Sequence, residues 1–240
     1  MKRSIIIASF FLIISFISAQ ELIPPSKYEQ TVINPKDESS KVPALKKTVD
    51  QMKSAVKKKD VSSLKKLCSA NLKWSFGDDS GIDGFLDTYK LLDNPESAGF
   101  WKTMDLLLSG GGKLDSGKKT YTVPYWAAVP MIPKDLGQSD DNYSMFYIAA
   151  GKDIAVYQEP SLKSTVIAKL SFESVYVQEW TDNNPDADQG AGIWKKVRLS
   201  GGHDGYLLGH YLYGPFEYKA VFEKVGGVWM MTAFVAGYHY

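Results

Sequence analysis

The segment from Trp194 to Gly214, WKKVRLSGGHDGYLLGHYLYG, restricts the fold of this chain more than any other. Its first strand opens on Trp194, and three glycines between 201 and 205 follow it. Glycine accepts the left-handed backbone angles that tight hairpin turns require. An apolar strand at 206–208 comes next, and the segment closes on the pair 211–212. The order predicts a β-hairpin followed by a short closing element.

The residues upstream of this hairpin continue the strand pattern. From Thr120 onward apolar and polar residues alternate with the period of two that is typical of strands. The predicted short strands are 145–149, 153–157, 165–170, 174–180, 193–199 and 205–208. The aromatic residues, 13% of the chain, are concentrated in this half, which also favours β-structure. Short strands separated by turns predict a small β-barrel.

Residues 145–213 resemble the bacterial Src-homology-3-like domain. The matching positions are Gly151, Ile154, Val156, Pro160, Ser164, Val166, Ile167, Ala168, Leu170, Val175, Val177, Trp194, Val197, Gly205, Tyr206, Tyr211 and Leu212. The chain departs from the family at Tyr157, where arginine is usual, at Glu159, where a small residue is usual, and at Tyr206, where tryptophan is usual. The loop from Asp182 to Gly192 is also longer than usual. The resemblance implies a module that binds cell-wall peptides or serves as an accessory domain of an exported protein.

The flanking segments predict a second unit. Pro43 opens a predicted helix whose apolar residues lie on one stripe. The C-terminal hairpin VGGVWMMTAFVAG resembles the last two strands of a cystatin-like α+β roll, as in the nuclear-transport-factor-like superfamily. That resemblance implies a roll-like domain made of 43–140 plus 214–240, with the barrel at 141–213. The alternative is a helical N-terminal domain followed by one continuous β-domain from residue 120. The predicted fold class is α+β: a small Src-homology-3-like barrel inserted in, or following, an α+β roll.

The N-terminus predicts export. Lys2 and Arg3 precede the apolar run Ile5–Ile17, and Ser18-Ala19 offers a small-residue cleavage site, so residues 1–19 are interpreted as a signal peptide. The alternative is an uncleaved anchor. The apolar run is too short for a comfortable membrane span, which needs roughly 20 apolar residues, and no membrane span is expected after signal removal. The polar, proline-containing range 20–42 predicts a flexible linker. We expect a periplasmic or secreted protein.

The net charge of the chain indicates little about its binding partner. The formal net charge of +1 excludes a general attraction to nucleic acid. Ten lysines stand between positions 41 and 73 against Asp50 and Asp60. They are interpreted as a solvated helix face, and the alternative is a contact for anionic wall polymer or lipid headgroups.

No catalytic or cofactor motif is present. The chain has no phosphate loop, dinucleotide fingerprint or Gly-x-Ser-x-Gly sequence, so no catalytic residue and no cofactor is predicted. The single cysteine, Cys68, follows Val61 and Leu64 on apolar spacing and is predicted to be buried. If the roll instead holds an enzymatic pocket, Asp83 or Asp105 is the first suspect.

Metal binding is not predicted either. Asp182, Asn184, Asp186 and Asp188 alternate like calcium ligands, but the required glycine and glutamate are replaced by Ala187 and Ile193. This stretch is interpreted as a solvated insertion. His203 and His210 have no companion ligands for zinc.

Aromatic side chains are the best binding candidates, because tyrosine and tryptophan combine contact area with a polar tip. The predicted ligand-binding residues are Tyr157, Trp180, Tyr206, Tyr211 and Tyr213, with barrel core as the alternative role for some of them. Trp194 is expected to pack. The leading hypothesis is an exported non-enzymatic binding protein whose barrel recognises peptidoglycan peptide or an envelope protein. The alternatives are a small-ligand or enzymatic pocket in the roll and a purely structural partner; oligomeric state stays open.

Overall fold

The computed structural model describes residues 23–74, 81–137, 139–178 and 193–237, and within them the chain is a mixed α+β protein with two sheets, which confirms the predicted class. The predicted signal peptide, residues 1–19, lies outside the described residues. The α-helices are α1 Pro43–Lys58, α2 Val61–Leu67, α3 Ile82–Thr88, α4 Gly99–Ser109 and α5 Asp140–Met145. Within the described ranges, no helix is long and apolar enough to cross a membrane.

The strands are short except for the last two. They are β1 Cys68–Lys73, β2 Lys113–Leu114, β3 Thr120–Val123, β4 Phe146–Ala149, β5 Ile154–Tyr157, β6 Val166–Leu170, β7 Ser174–Val177, β8 Trp194–Arg198, β9 Asp204–Leu208, β10 Leu212–Tyr213, β11 Tyr218–Val225 and β12 Val228–Ala236. The predicted strands of the barrel region agree with β4 to β9 to within two residues, apart from the end of the predicted 174–180 strand, whose residues 179–180 lie outside the described ranges.

The first sheet has the order β1-β12-β11-β3-β2. β12 pairs in parallel with β1 and antiparallel with β11. Gly226 and Gly227, with φ of 57° and 85°, form the predicted turn between β11 and β12. The apolar stripe of α1 packs against this sheet, and Leu45, Val49 and Met52 are fully buried. The amphipathic spacing of α1 therefore builds the main core, as the sequence predicts.

The second sheet has the order β10-β4-β7-β8-β9-β5-β6, with every neighbour antiparallel. Its inner face buries Val156, Val175, Val197 and Leu207. β6 and β10 are its edges in the described part of the chain, so the sheet is open and no closed barrel is found. A single 3₁₀ turn, Gly209–Tyr211, connects β9 to β10.

The two sheets share one large hydrophobic core. Ile148 on β4 and Tyr213 on β10 belong to the same buried cluster as the first sheet. The Trp126 ring, just after β3, lies 5.6 Å from the Phe172 ring and 5.9 Å from the Tyr213 ring between centroids. These contacts join the second sheet to the first through apolar packing.

The described part of the predicted linker, residues 23–42, is docked rather than free. Tyr28 and Ile33 are each only 6% exposed. The Ser174 amide donates to the Thr31 carbonyl at 2.9 Å, and the Ile33 amide donates to the Phe172 carbonyl at 2.8 Å. Polar composition predicts a linker, but two apolar side chains and backbone pairing are sufficient to hold an extended segment. We call residues 25–33 the strap.

Candidate functional site

Two of the predicted binding residues meet on the outer face of the second sheet. Tyr157 on β5 is the cross-strand partner of Tyr206 on β9, and Tyr206 is the partner of Lys196 on β8. All three are partly exposed. Directly paired side chains project from the same face of a sheet and contact each other. They form a row of two phenols and one ammonium group.

Trp194 lies beneath this row. It shares the outer face with Lys196 because the two are separated by one residue, and it is only 5% exposed. The Tyr157 ring meets the Trp194 ring edge-on, with centroids 5.4 Å apart and planes at 89°. Trp194 therefore packs, as expected, and supports Tyr157. We call Tyr157, Lys196, Tyr206 and Trp194 the tyrosine face.

An exposed aliphatic side chain borders the tyrosine face. Val166, the cross-strand partner of Tyr157 on β6, is 44% exposed. The adjacent Ile167 is 40% exposed, but its Cδ1 lies toward Gly205, on the other face of the sheet. In the sequence, Val166 and Ile167 were identified only as positions that match the Src-homology-3-like pattern, and Lys196 was given no role. The alternation of Trp194 and Lys196 was the signal for Lys196, whereas the exposure of Val166 depends on β6 being an edge strand.

The other predicted aromatics lie elsewhere. Tyr211, 40% exposed, sits on the 3₁₀ turn beyond the end of β9, with its ring 4.1 Å from the His210 ring. Tyr213 is 8% exposed and donates its hydroxyl to the Tyr218 carbonyl at 2.9 Å, so it is a packing residue between the two sheets. Trp180 lies outside the described residues. The same is true of the calcium-like stretch from Asp182 to Asp188.

A second candidate site is a cavity of about 450 Å³ at one end of the first sheet. Its walls include the rings of Tyr89, Phe100, Tyr218 and Phe234. Tyr218 stacks on Phe234 with centroids 4.9 Å apart, and Tyr89 meets Phe234 at 5.3 Å. We call this space the roll cavity. No single motif predicts it, because its four rings come from three separate stretches of the chain.

The polar groups of the roll cavity are the phenols of Tyr89 and Tyr218 and the side chains of Thr88, Lys90, Ser97 and Thr103. The Tyr89 hydroxyl lies 3.4 Å from the Tyr218 hydroxyl, within hydrogen-bonding distance. Burial, together with this hydrogen bond, raises the pKa of Tyr89, so the hydroxyl is neutral at physiological pH. An apolar cavity with a few polar groups is typical of small-molecule binding.

The two suspected catalytic acids do not line the roll cavity. The Asp83 side chain is 82% exposed and pairs with Lys65 at 2.6 Å. Asp105 is exposed on α4. The geometry therefore offers a cavity for binding without bringing either proposed acid to it.

The single thiol of the chain, Cys68, is not suited to act as a nucleophile. Cys68 is 3% exposed, which confirms the predicted burial, and burial raises the pKa of its thiol. A buried neutral thiol is a poor nucleophile. Within the described ranges, no three His, Cys, Asp or Glu side chains are placed to hold a metal ion.

No protein-family model, no curated protein and no solved structure matches this chain. The function of the tyrosine face and the roll cavity is therefore argued from their contacts alone.

Proposed function

We propose that this chain is an exported, non-enzymatic binding protein of the bacterial envelope. A Src-homology-3-like module, residues 141–213, is inserted in an α+β roll formed by 43–140 and 214–240. The tyrosine face of the module contacts the ligand, which is a peptidoglycan peptide or an envelope protein. Export is inferred from the sequence of residues 1–19.

The strand order supports the nested arrangement over one continuous β-domain. β3 and β11 are direct neighbours in the first sheet, although the chain between them makes every strand of the second sheet. β10 returns to pair with β4, so the two ends of the module lie side by side. Adjacent termini are what insertion of one domain into another requires.

The paired, partly exposed Tyr157 and Tyr206 are the observation on which the binding function rests. Their rings offer contact area at low entropic cost, and Trp194 holds the Tyr157 ring in place. Lys196, next in the row, supplies a cation for a peptide carboxylate. Aromatic groups around one cation match a short peptide that has free carboxylates, as peptidoglycan stem peptides have.

Co-sedimentation of the mature chain, from residue 20, with purified peptidoglycan sacculi tests this function. We expect Tyr157→Ala and Tyr206→Ala each to weaken binding roughly tenfold, the cost of removing a central aromatic contact. Tyr211→Ala is the matched control, because it removes an exposed tyrosine that lies outside the cross-strand row. Circular dichroism of each variant checks that it is folded.

Two results would count against the tyrosine face, and a third would count against peptidoglycan as its ligand. Equal losses in all three variants would indicate a nonspecific aromatic contribution. Binding that is unchanged in Tyr157→Ala and Tyr206→Ala but is lost at high salt would assign the contact to the lysine-rich helices α1 and α2. Absence of any binding would remove peptidoglycan and leave an envelope protein as the ligand class.

The second candidate function is small-ligand binding in the roll cavity. The observation in its favour is the aromatic lining of about 450 Å³ of space, a size within the usual range of ligand pockets. Its phenolic hydroxyls suit an apolar ligand with one polar group. The absence of Asp83 and Asp105 from the lining favours carriage of a ligand over catalysis.

An apolar fluorescent probe, anilinonaphthalene sulfonate, tests this second candidate. Gly99 lines the cavity, and a side chain added there would meet no atom within 4 Å. Gly99→Leu should therefore fill the space and abolish saturable probe binding without unfolding the protein. Leu106→Ala, at an exposed position of the same helix, is the control and should leave probe binding unchanged. Unchanged binding in Gly99→Leu would exclude the cavity as the probe site.

A further inference from the structure

The strap covers an apolar groove on the outer face of the second sheet. Ile132, Met145, Phe146 and Tyr176 form this groove, and with Tyr28 they make a hydrophobic cluster separate from the two larger cores. The Tyr28 ring meets Phe146 edge-on, with centroids 5.1 Å apart and planes at 89°. Phe146 meets Tyr176 in the same way at 5.4 Å. We call these four residues the strap groove.

The strap is bound to the second sheet by the same kinds of contact that bind an extended peptide to a protein. The Tyr28 amide donates to the Ser200 carbonyl at 3.2 Å, and the Ser174 amide donates to the Thr31 carbonyl at 2.9 Å. The Tyr28 hydroxyl donates to the Arg198 carbonyl at 2.7 Å. In recognition of extended peptides, main-chain hydrogen bonds provide affinity and a side-chain pocket provides specificity. The strap groove has both, and its pocket selects an aromatic ring with a polar tip.

The first half of the strap has one buried anchor. Among strap residues 25–31, Tyr28 is the only buried residue, and Ile23, just before the strap, is 89% exposed. The next anchor, Ile33, packs into the main core instead of the strap groove. One buried ring and a set of hydrogen bonds, several of them at partly exposed positions, must therefore offset the backbone entropy of ordering this part of the strap. Segments with so few buried contacts open locally at low free energy while the core stays folded.

The strap groove adjoins the tyrosine face. Phe146, Tyr176 and Arg198 form one cross-strand row, and Lys196, two residues before Arg198 on β8, begins the row of the tyrosine face. Side chains two residues apart on a strand point to the same side. Release of the strap would therefore extend the exposed aromatic surface by one row.

We propose that the strap groove is a second docking site, which binds an extended peptide segment of a partner protein carrying an aromatic side chain. The strap is its intramolecular occupant, and the partner segment binds by displacing it. The chemistry of the partner is inferred from the strap itself, which shows which side chain and which backbone geometry fit. This site goes beyond the proposed function, because it does not depend on what the tyrosine face binds.

The test uses a fluorescently labelled peptide with the sequence of residues 25–33, PSKYEQTVI, and the full chain. Tyr28→Ala weakens the resident strap, and Val32→Ala, at a 54% exposed strap position, is the matched control. We expect the peptide to bind the Tyr28→Ala protein roughly tenfold or more tightly than the wild type or Val32→Ala, because the tethered strap competes at high effective concentration. A Tyr28→Ala version of the peptide should bind none of them.

Equal peptide binding by all three folded proteins, or no binding by any, would overturn the proposal. Hydrogen exchange of the wild type provides a test that needs no variant. The Tyr28 and Ser174 amides should exchange well before the amides of β11 and β12, whereas exchange only upon global unfolding would show a permanent structural segment. A wild-type dimer that Tyr28→Ala abolishes would identify the strap of a second copy as the occupant and overturn the assignment to a partner protein. A failed sacculus experiment does not affect any of these results.

Discussion

Gly205 is the residue that allows β9 to approach β5 and so creates the tyrosine face. A β-carbon at this position would lie 2.6 Å from Val156 Cγ1 and 3.1 Å from the Tyr157 carbonyl oxygen. Such contacts are too close for a side chain unless its neighbours, including the Val156 side chain, shift. The absence of a side chain at Gly205 is therefore what brings Tyr206 beside Tyr157.

Gly205→Ala should destabilise the protein by about 1–3 kcal/mol, the usual cost of forcing extra atoms into a packed interior. Urea denaturation followed by tryptophan fluorescence measures this. Gly99→Ala is the control, because its added carbon meets nothing within 4 Å and lies at the start of α4. It should change the free energy of unfolding by less than about 1 kcal/mol. Equal effects of the two substitutions would contradict the close approach of β9 to β5.

At this scale the sequence predicts the residues of the site better than their roles. Tyr206 was identifiable because tyrosine combines contact area with a polar tip, and in the structure alternation along β9 puts it on the face opposite Gly205. The burial of Tyr213 was not predictable, because it packs against Trp126, far away in the chain. Long-range packing of this kind leaves no local pattern.

Asp37 connects the strap region to two other elements. It precedes the 3₁₀ turn Glu38–Lys41 and accepts hydrogen bonds from the Ser39 amide at 3.0 Å and the Tyr121 hydroxyl at 2.8 Å. Lys53 on α1 pairs with it at 3.2 Å. Burial opposes its charge, but these partners outweigh burial and lower the pKa of Asp37 from 3.8 to about 2.

Because this carboxyl is more acidic in the folded than in the unfolded state, its contribution to stability is complete above pH 4 and is lost as the pH falls toward 2. Asp37→Asn should therefore lower the free energy of unfolding at pH 7 by about 1 kcal/mol, after allowance for solvent screening. Asp50→Asn, which breaks an exposed pair with Lys46, is the control and should change it by less than about 0.5 kcal/mol. Urea unfolding at pH 7 and pH 2.5 measures both. If the difference in the free energy of unfolding between wild type and Asp37→Asn were as large at pH 2.5 as at pH 7, the ion pairing of Asp37 would be contradicted.

Elements with a strong local pattern were predicted well. Pro43 and the apolar stripe define α1, and Gly226-Gly227 separates β11 from β12. The position of β1, Cys68–Lys73, depends on a distant partner, because β1 pairs in parallel with β12, where Cys68 faces Met231. The docking of the strap was not predictable, because its polar composition is that of a linker and its partners lie more than a hundred residues away.

At the scale of the whole molecule, the chain order links the two sheets. β11 pairs with β3, although the strands of the second sheet lie between them in the sequence. Ile148 and Tyr213 of the second sheet pack into the core of the first. Neither unit can lose its structure without exposing apolar surface of the other. The strand order β1-β12-β11-β3-β2 could not be predicted from the sequence, because periodicity identifies strands but does not show which of them pair.

We therefore expect one cooperative unfolding transition. Tryptophan fluorescence and far-ultraviolet circular dichroism should give coincident urea curves, and calorimetric and van't Hoff enthalpies should agree. Two separated transitions would show that the second sheet unfolds independently of the first. In that case the shared packing around Trp126 would contribute little to stability.

The most direct test of the proposed binding function is a nuclear magnetic resonance titration of the mature chain with a soluble peptidoglycan fragment, a disaccharide bearing its stem peptide. We predict saturable shift changes concentrated on Tyr157, Lys196 and Tyr206, which lie in one cross-strand row. Tyr157→Ala should remove them, whereas Tyr211→Ala should not. Saturable changes confined to Tyr89 and Tyr218 would move the binding site to the roll cavity, and the absence of saturable changes would contradict recognition of peptidoglycan by this chain.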